Sequence, residues 1–71
     1  MSESVYKVIE LIGTSQNSWE EAASNAVERA AKSVRDLRIA EVAQLDLQIE
    51  EGQAVLYRTK LKVSFKYEGE A

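Results

Sequence analysis

The chain contains no cysteine and no histidine. These two absences exclude disulfide bonds, zinc sites built from cysteine and histidine, thiol nucleophiles and every catalytic triad that depends on histidine. No pair of carboxylates stands out as a glycosidase-type site either. We therefore expect a protein that is not an enzyme. A chain of 71 residues buries only a modest core, so without disulfides or a metal we expect oligomerisation to stabilise its fold.

A net positive charge and long apolar runs are also absent. The formal net charge is -3 and the isoelectric point is about 4.9, which argues against a nucleic-acid partner because nucleic-acid-binding domains are usually basic. No apolar run approaches the roughly 20 residues that span a bilayer, and no signal-peptide pattern precedes the first predicted strand. The sequence thus predicts a soluble cytoplasmic protein that binds no membrane.

What the chain does have is strict alternation. In residues 55–67 the odd positions are mostly apolar and aromatic, and the even positions are largely cationic. This pattern predicts one strand, roughly 40 Å long, with an apolar side and a cationic side. Residues 5–12 and 38–49 predict two further strands. The long strand exceeds what so small a chain can cover, so we expect neighbouring copies to cover it.

A single helix is predicted between the first two strands. Ser18 and Glu21 have the spacing of a capping box, in which each side chain satisfies the backbone amide of the other residue. The helix should run over residues 19–35, with an apolar stripe made mostly of alanine that lets it lie close to a sheet. Trp19, in the first turn, is expected to anchor the helix to that sheet.

The second strand also alternates, with one interruption. Its odd positions are predicted to face the helix, and they are Ile39, Ala43, Leu45, Leu47 and Ile49. Glu41 falls on the same side. We expect it to pair with a basic residue, because a buried carboxylate without a partner is costly. The even positions face the other way, and they include Gln44, Asp46 and Gln48.

A turn at residues 50–52 joins the last two strands. A three-residue loop with Gly52 in the left-handed conformation pairs Ile49 with Gln53, which places Gln44 opposite Arg58. A slip of two residues would place Asp46 there instead. The predicted architecture is α+β: one domain over residues 1–71, in β-α-β-β order, with a three-stranded antiparallel sheet wrapped around one helix.

Four segments in their order along the chain resemble the dodecin family, namely residues 5–15, 18–23, 39–42 and 62–65. The resemblance implies a sheet wrapped around its helix in a hollow homododecamer. It also implies flavin ligands, such as FMN or riboflavin, stacked in pairs between subunits. Some bacterial dodecins hold coenzyme A. Dodecins are regarded as flavin-storage or buffering proteins, so the resemblance again implies a binding protein.

Three positions depart from the flavin-binding pattern. Ile39 stands where those dodecins have a tryptophan that stacks on the flavin, Arg58 where they have a glutamine, and Asp46 where bacterial members often have an arginine. Losing the aromatic platform removes about 1 kcal/mol or more per stacked pair. In this respect the chain resembles a dodecin branch that lacks the tryptophan and is associated with calcium.

The resemblance and the residue chemistry together name two sets of candidate site residues. The ligand-binding set is Ile39, Gln44, Asp46, Gln48 and Arg58. The calcium set is Asp46, Glu50 and Glu51, whose oxygens suit a hard cation that wants several such ligands, shared across a symmetry axis.

Three functions remain open. The first is a shell that buffers a flavin, and the second is a calcium-associated or purely structural shell. The third is a small adaptor whose long strand adds to the sheet of a partner protein.

Overall fold

The computed structural model describes residues 4–67. Its elements are β1 (Tyr6–Ser15), α1 (Trp19–Ala31), β2 (Leu37–Glu50) and β3 (Gln53–Lys66). The three strands form one antiparallel sheet in the order β1-β3-β2, with α1 on one side. This confirms the predicted α+β class and β-α-β-β order. Within the described residues no helix is both long enough and apolar enough to cross a membrane.

The first strand is longer than the sequence predicts. The predicted strand ends at residue 12, but residues 13–15 continue β1 and pair with β3, where Ser15 lies opposite Tyr57. Gly13 has its role inside the strand. A Cβ built on it would lie 1.9 Å from the carbonyl oxygen of Ala22 in α1. Glycine at this position therefore sets how closely the helix approaches the sheet.

The helix begins as predicted and ends earlier. Ser18 is the N-cap, and its Oγ accepts a hydrogen bond of 3.0 Å from the backbone N–H of Glu21. The second half of the predicted capping box is wrong, because the Glu21 carboxylate instead accepts hydrogen bonds from Ser15 Oγ (2.7 Å) and Asn17 Nδ2 (2.6 Å). The helix ends at Ala31, not at residue 35, and is followed by a turn.

The hairpin between β2 and β3 has a two-residue turn. Glu51 (φ 52°) and Gly52 (φ 78°) are both left-handed, as in a type I′ turn, and Glu50 pairs with Gln53. The predicted three-residue loop and the pairing of Ile49 with Gln53 are therefore wrong. A register shift follows at once, and it leaves one extra residue on β3. Its result is that Asp46 lies opposite Arg58, the alternative register of the sequence analysis.

A second register shift changes which side chains of β2 face the helix. Gln44 pairs with Lys60 but Val42 pairs with Leu61, so Ala43 is an extra residue on β2. One extra residue reverses the alternation, because side chains on a strand have a period of two. From Ile39 to Val42 the even positions face α1, whereas from Gln44 to Gln48 the odd positions do. The predicted inward orientation of Ile39 and Glu41 is wrong: both lie on the side of the sheet away from the helix.

The buried core is small and lies under α1. Leu61 and Val63 of β3 are almost wholly buried against Ala26 of the helix. The predicted alanine stripe is confirmed, since the buried helix residues are Ala22, Ala26 and Ala30. The helix packs mainly on β1 and β3 and touches β2 little. Large apolar side chains on the helix side of β2 are consequently exposed, and they are Val42, Leu45, Leu47 and Ile49. Ile39 is exposed on the opposite face.

Candidate functional site

Most of the candidate residues lie on the face of the sheet that points away from α1, here called the outer face. Residues directly opposite each other on antiparallel strands share a face. On β3 this face carries Arg58, Lys60, Lys62 and Ser64, and on β2 it carries Ile39, Glu41, Gln44, Asp46 and Gln48. The register brings Asp46 opposite Arg58, Gln44 opposite Lys60, and Glu41 opposite Lys62. A row of cations therefore runs beside a row of carboxylates and amides.

Asp46 and Arg58 form a two-pronged ion pair in this row. Arg58 Nε donates to Asp46 Oδ1 at 2.7 Å, and Arg58 Nη2 donates to Oδ2 at 3.0 Å. The two side chains are 38% and 39% exposed, so the pair is open to solvent. The hydrogen bond from Arg58 holds the pKa of Asp46 below its ordinary value, and the same bond raises the pKa of Arg58. Fork-shaped pairing of this kind fixes the orientation of both groups.

Trp19 reaches the same point of the sheet from the helix side. Its indole N–H donates to the backbone carbonyl of Asp46 at 3.0 Å, and its ring meets Tyr57 edge-to-face at a centroid distance of 5.1 Å. Thr59 Oγ1 donates to the Trp19 carbonyl at 2.9 Å. The prediction that Trp19 anchors the helix to the sheet is confirmed. Its contact with the strand segment that carries Asp46 was not predicted, because no sequence pattern marks an acceptor 27 residues away.

The structure brings four of the five ligand-binding candidates together and leaves the fifth apart. Gln44, Asp46 and Gln48 follow one another along the outer face of β2, beside Arg58. Ile39 is on the same face but lies opposite Ser64, six positions from Arg58 along β3. At about 3.3 Å per residue this separation is roughly 20 Å. Within one chain Ile39 and Arg58 cannot contact the same small ligand, so any site containing both has to involve a second copy.

The calcium candidates lie at and near the hairpin. Glu50 and Glu51 are exposed at the turn, and Gln48 Nε2 donates to Glu50 Oε2 at 3.3 Å. Among residues 4–67 no three acidic side chains converge closely enough to hold a metal ion. Carboxylate oxygens suit calcium, which takes six to eight oxygen ligands. The chemistry of these donors therefore fits calcium, but a complete set needs more than one subunit.

The flavin candidates fit a stacked ring less well. Ile39 is aliphatic, so it offers no aromatic platform, although its 66% exposure leaves it accessible. Two donor nitrogens of Arg58 already bind Asp46, so they are not free for the edge of a ring. The outer face retains the amides of Gln44 and Gln48, which can bind the polar edge of a heterocycle.

Comparisons with known proteins agree with this architecture. Residues 5–68 match the family model described as Dodecin. The chain is 54% identical over 63 residues to a protein named Calcium dodecin from Mycobacterium tuberculosis, covering 89% of each chain. It is 39% identical over 64 residues to the Dodecin of Thermus thermophilus, covering 90% of this chain and 93% of that protein.

Solved structures show the same fold. The dodecin from Streptomyces coelicolor superimposes with a TM-score of 0.90 at 40% identity, covering 99% of this chain and all of that one. The calcium dodecin of Mycobacterium tuberculosis, described as a calcium-chelating antigen with a novel calcium-binding site, gives a TM-score of 0.83 at 50% identity, covering 96% and 97%. With this fold, and a family match over almost its whole length, the chain is a member of the dodecin family.

Proposed function

We propose that this protein assembles into a hollow homododecamer that binds calcium ions between its subunits. Dodecins are oligomeric, ligand-binding proteins. An isolated copy of this chain would leave apolar side chains of β2 exposed to water. The observation that carries the proposal is the outer face itself: it offers carboxylate oxygens near the hairpin and no aromatic platform at Ile39.

The need for a shell follows from the exposed apolar surface. The helix leaves β2 largely uncovered, and apolar side chains on that strand are exposed to water. Burial of such surface on neighbouring copies is worth roughly 25 cal/mol for each Å² removed from water. The open edge of β2 adds backbone groups that favour pairing with another chain. Closed symmetry is the usual way in which soluble proteins satisfy both needs.

The choice of calcium rests on donor chemistry and on the likeness to the calcium dodecin. Asp46, Glu50 and Glu51 supply hard oxygen donors in every copy. When bound, calcium would neutralise carboxylates that several copies bring to one axis, and so strengthen the contacts between subunits. Asp46 enters such a site already oriented by Arg58.

A flavin is the second candidate. The specific observation in its favour is that Gln44 and Gln48 present two amides on the same face as Arg58. Paired flavins would still lack the stacking partner that Ile39 replaces.

Native mass spectrometry of the purified protein is the direct test, because it reports copy number and retained ligands together. We expect twelve copies with bound calcium. Thermal unfolding should then shift upward with calcium relative to EDTA, since a ligand at 100 times its Kd stabilises the folded state by about 2.7 kcal/mol. Magnesium, which demands six ligands in a stricter geometry, serves as the matched ion.

The outcomes separate the proposals. A particle of 7.9 kDa would refute the shell. Equal melting temperatures in calcium and EDTA would refute calcium binding. A yellow protein with a flavin absorption band would establish the second candidate instead. If calcium still raises the melting temperature of the variants Asp46→Asn, Glu50→Gln and Glu51→Gln, it binds through other residues.

A further inference from the structure

The end of the β2–β3 hairpin projects beyond the rest of the subunit. β1 ends at Ser15, which pairs with Tyr57, so residues 48–56 form a two-stranded ribbon without a third strand beside it. We call this ribbon the hairpin arm. It extends roughly 13 Å past the end of β1, at about 3.3 Å per residue. Ile49 on the arm is 65% exposed. A two-stranded ribbon with nothing packed on it is marginally stable in water.

A groove suited to such an arm lies between the second half of α1 and β1. It is an open cavity of about 470 Å³, and its apolar lining includes Ile9, Leu11, Ala26, Ala30 and Val34. A second open cavity adjoins it at Ser33 and Val34 and is lined by Arg35 and Phe65. Arg29 and Arg35 stand at the two cavities. We call the two together the basic groove.

The charges of the two surfaces are complementary. The arm carries Glu50 and Glu51 at its turn and no basic residue between residues 48 and 56. The basic groove carries Arg29 and Arg35, and neither forms an ion pair with any residue in the described range 4–67. Its acidic lining residue is Asp36, beside Arg35 in the sequence. An acidic arm with an exposed apolar side chain thus matches an apolar groove with a basic rim.

An arm cannot fill the groove of its own chain. The arm leaves the sheet at the beginning of β3, whereas the groove extends toward the opposite end of the molecule, near Phe65. The described part of the chain is 55 Å long, and the arm points away from the groove along that length. Only a second copy can bring the two surfaces together.

We propose that the hairpin arm of one subunit docks in the basic groove of the next, with Ile49 against the apolar lining and Glu51 beside Arg35. The contact is head-to-tail, because two different surfaces meet, and repeated contacts of this kind close into rings when the rotation permits. It deepens the proposed shell and rests on it. Binding of Glu51 to an arginine leaves further acceptor positions on the carboxylate for a cation, since a carboxylate has about four such positions.

A charge swap tests the contact. Glu51→Lys and Arg35→Glu should each place like charges face to face, and each should raise the protein concentration at which the particle dissociates by about tenfold or more. All proteins are compared in EDTA, so that the loss of Glu51 as a calcium ligand does not contribute. The double variant Glu51→Lys/Arg35→Glu should then restore the wild-type value, because every contact in the ring regains opposite charges. Particle mass is measured by light scattering and native mass spectrometry at low salt. Glu28→Lys, on the exposed surface of α1, is the control with the same change of net charge as Glu51→Lys.

A second variant tests the apolar half of the contact without any change of charge. Ile49→Ser should also give smaller particles at a fixed protein concentration, while the circular dichroism spectrum and the Trp19 emission stay those of a folded subunit.

The results distinguish this proposal from the proposed function. Single variants that keep the wild-type dissociation concentration, or a double variant no closer to wild type than the single variants, would overturn the docking while leaving the proposed shell and calcium binding untouched. A wild-type protein that is monomeric at all concentrations would refute the shell, and the docking with it.

Discussion

Gly13 lies where β1 approaches the backbone of α1 closely, and replacing it with alanine should destabilise the subunit severely. The added Cβ would lie 1.9 Å from the carbonyl oxygen of Ala22, 2.9 Å from the carbonyl carbon and 3.0 Å from the Cβ of Ala26. The nearest atom belongs to helix backbone, so it cannot rotate out of the way as a flexible side chain would. To reach an ordinary contact of 3.4 Å the helix has to retreat by about 1.5 Å.

That retreat costs energy in two ways. Overpacking of a well-packed core typically costs about 1–3 kcal/mol. Moving α1 outward also loosens the buried contacts of Ala22 and Ala26, so we expect a loss of about 3 kcal/mol or more in the free energy of unfolding. A chain of this length has only about 4–11 kcal/mol in total at 0.05–0.15 kcal/mol per residue. Gly13→Ala should therefore remove a large share of the stability.

Urea unfolding at constant protein concentration, followed by far-ultraviolet circular dichroism and Trp19 emission, measures this loss. Gly52 provides the matched control. Its φ is 78° and a Cβ there would meet nothing within 4 Å, so Gly52→Ala costs only the left-handed backbone, about 1–2 kcal/mol. Asparagine, which tolerates that conformation, should be mild at Gly52 and severe at Gly13. A Gly13→Ala protein within 0.5 kcal/mol of wild type would refute the argument from close approach.

Three further predictions concern single side chains. Ser18→Ala should lower the free energy of unfolding by about 1 kcal/mol through the lost N-cap, whereas Ser18→Asp should retain it; equal urea midpoints for all three proteins would contradict this. The pKa of Asp46 is lowered by its hydrogen bond from Arg58, so the stability it adds is complete above the ordinary carboxylate range and is lost as the pH falls through the lowered pKa. The melting temperatures of wild type and Asp46→Asn should accordingly converge at acid pH, and a gap that persists there would count against the pair as its source. Ile39→Trp should increase riboflavin affinity by supplying a ring on the exposed outer face; an unchanged titration with an intact particle would show that the platform is not what is missing.

Much of the fold could be predicted because its signals are local. The N-cap at Ser18 marks where α1 starts, alternation marks β3, and an alanine stripe marks the helix face that meets the sheet. The end of the helix was harder to predict. Residues 32–35 have no strong helix breaker, but the chain has to turn back into β2, and it does so through Asp36 with φ 62°.

The orientation of β2 could not be predicted, because alternation assumes an unbroken count of two. The extra residue is an alanine, Ala43, and the residues beside it in the sequence give no signal that indicates a β-bulge. Residues 39–42, on its N-terminal side, therefore change face, which is why Ile39 and Glu41 were placed wrongly. Glu41 consequently lies across from Lys62 on the outer face instead of intruding on the core.

The candidate site was predictable as chemistry but not as geometry. Both pairings of Arg58 were considered, and the observed one depends on a two-residue turn and a bulge that together restore the parity of the strands. The wide separation of Ile39 from Arg58 follows from the pairing of Ile39 with Ser64. The conclusion that the two can share a small ligand only between copies therefore depends on the register of the strands.

The extra residue at Ala43 has a practical consequence for mapping this surface. Because the chain has no cysteine of its own, each introduced cysteine would be a unique reporter of one position. A probe excluded from the helix side of the sheet should label even positions between residues 44 and 48 and odd positions between residues 39 and 41. Over residues 39–48 the alternation of labelled and protected positions should thus invert once, at Ala43.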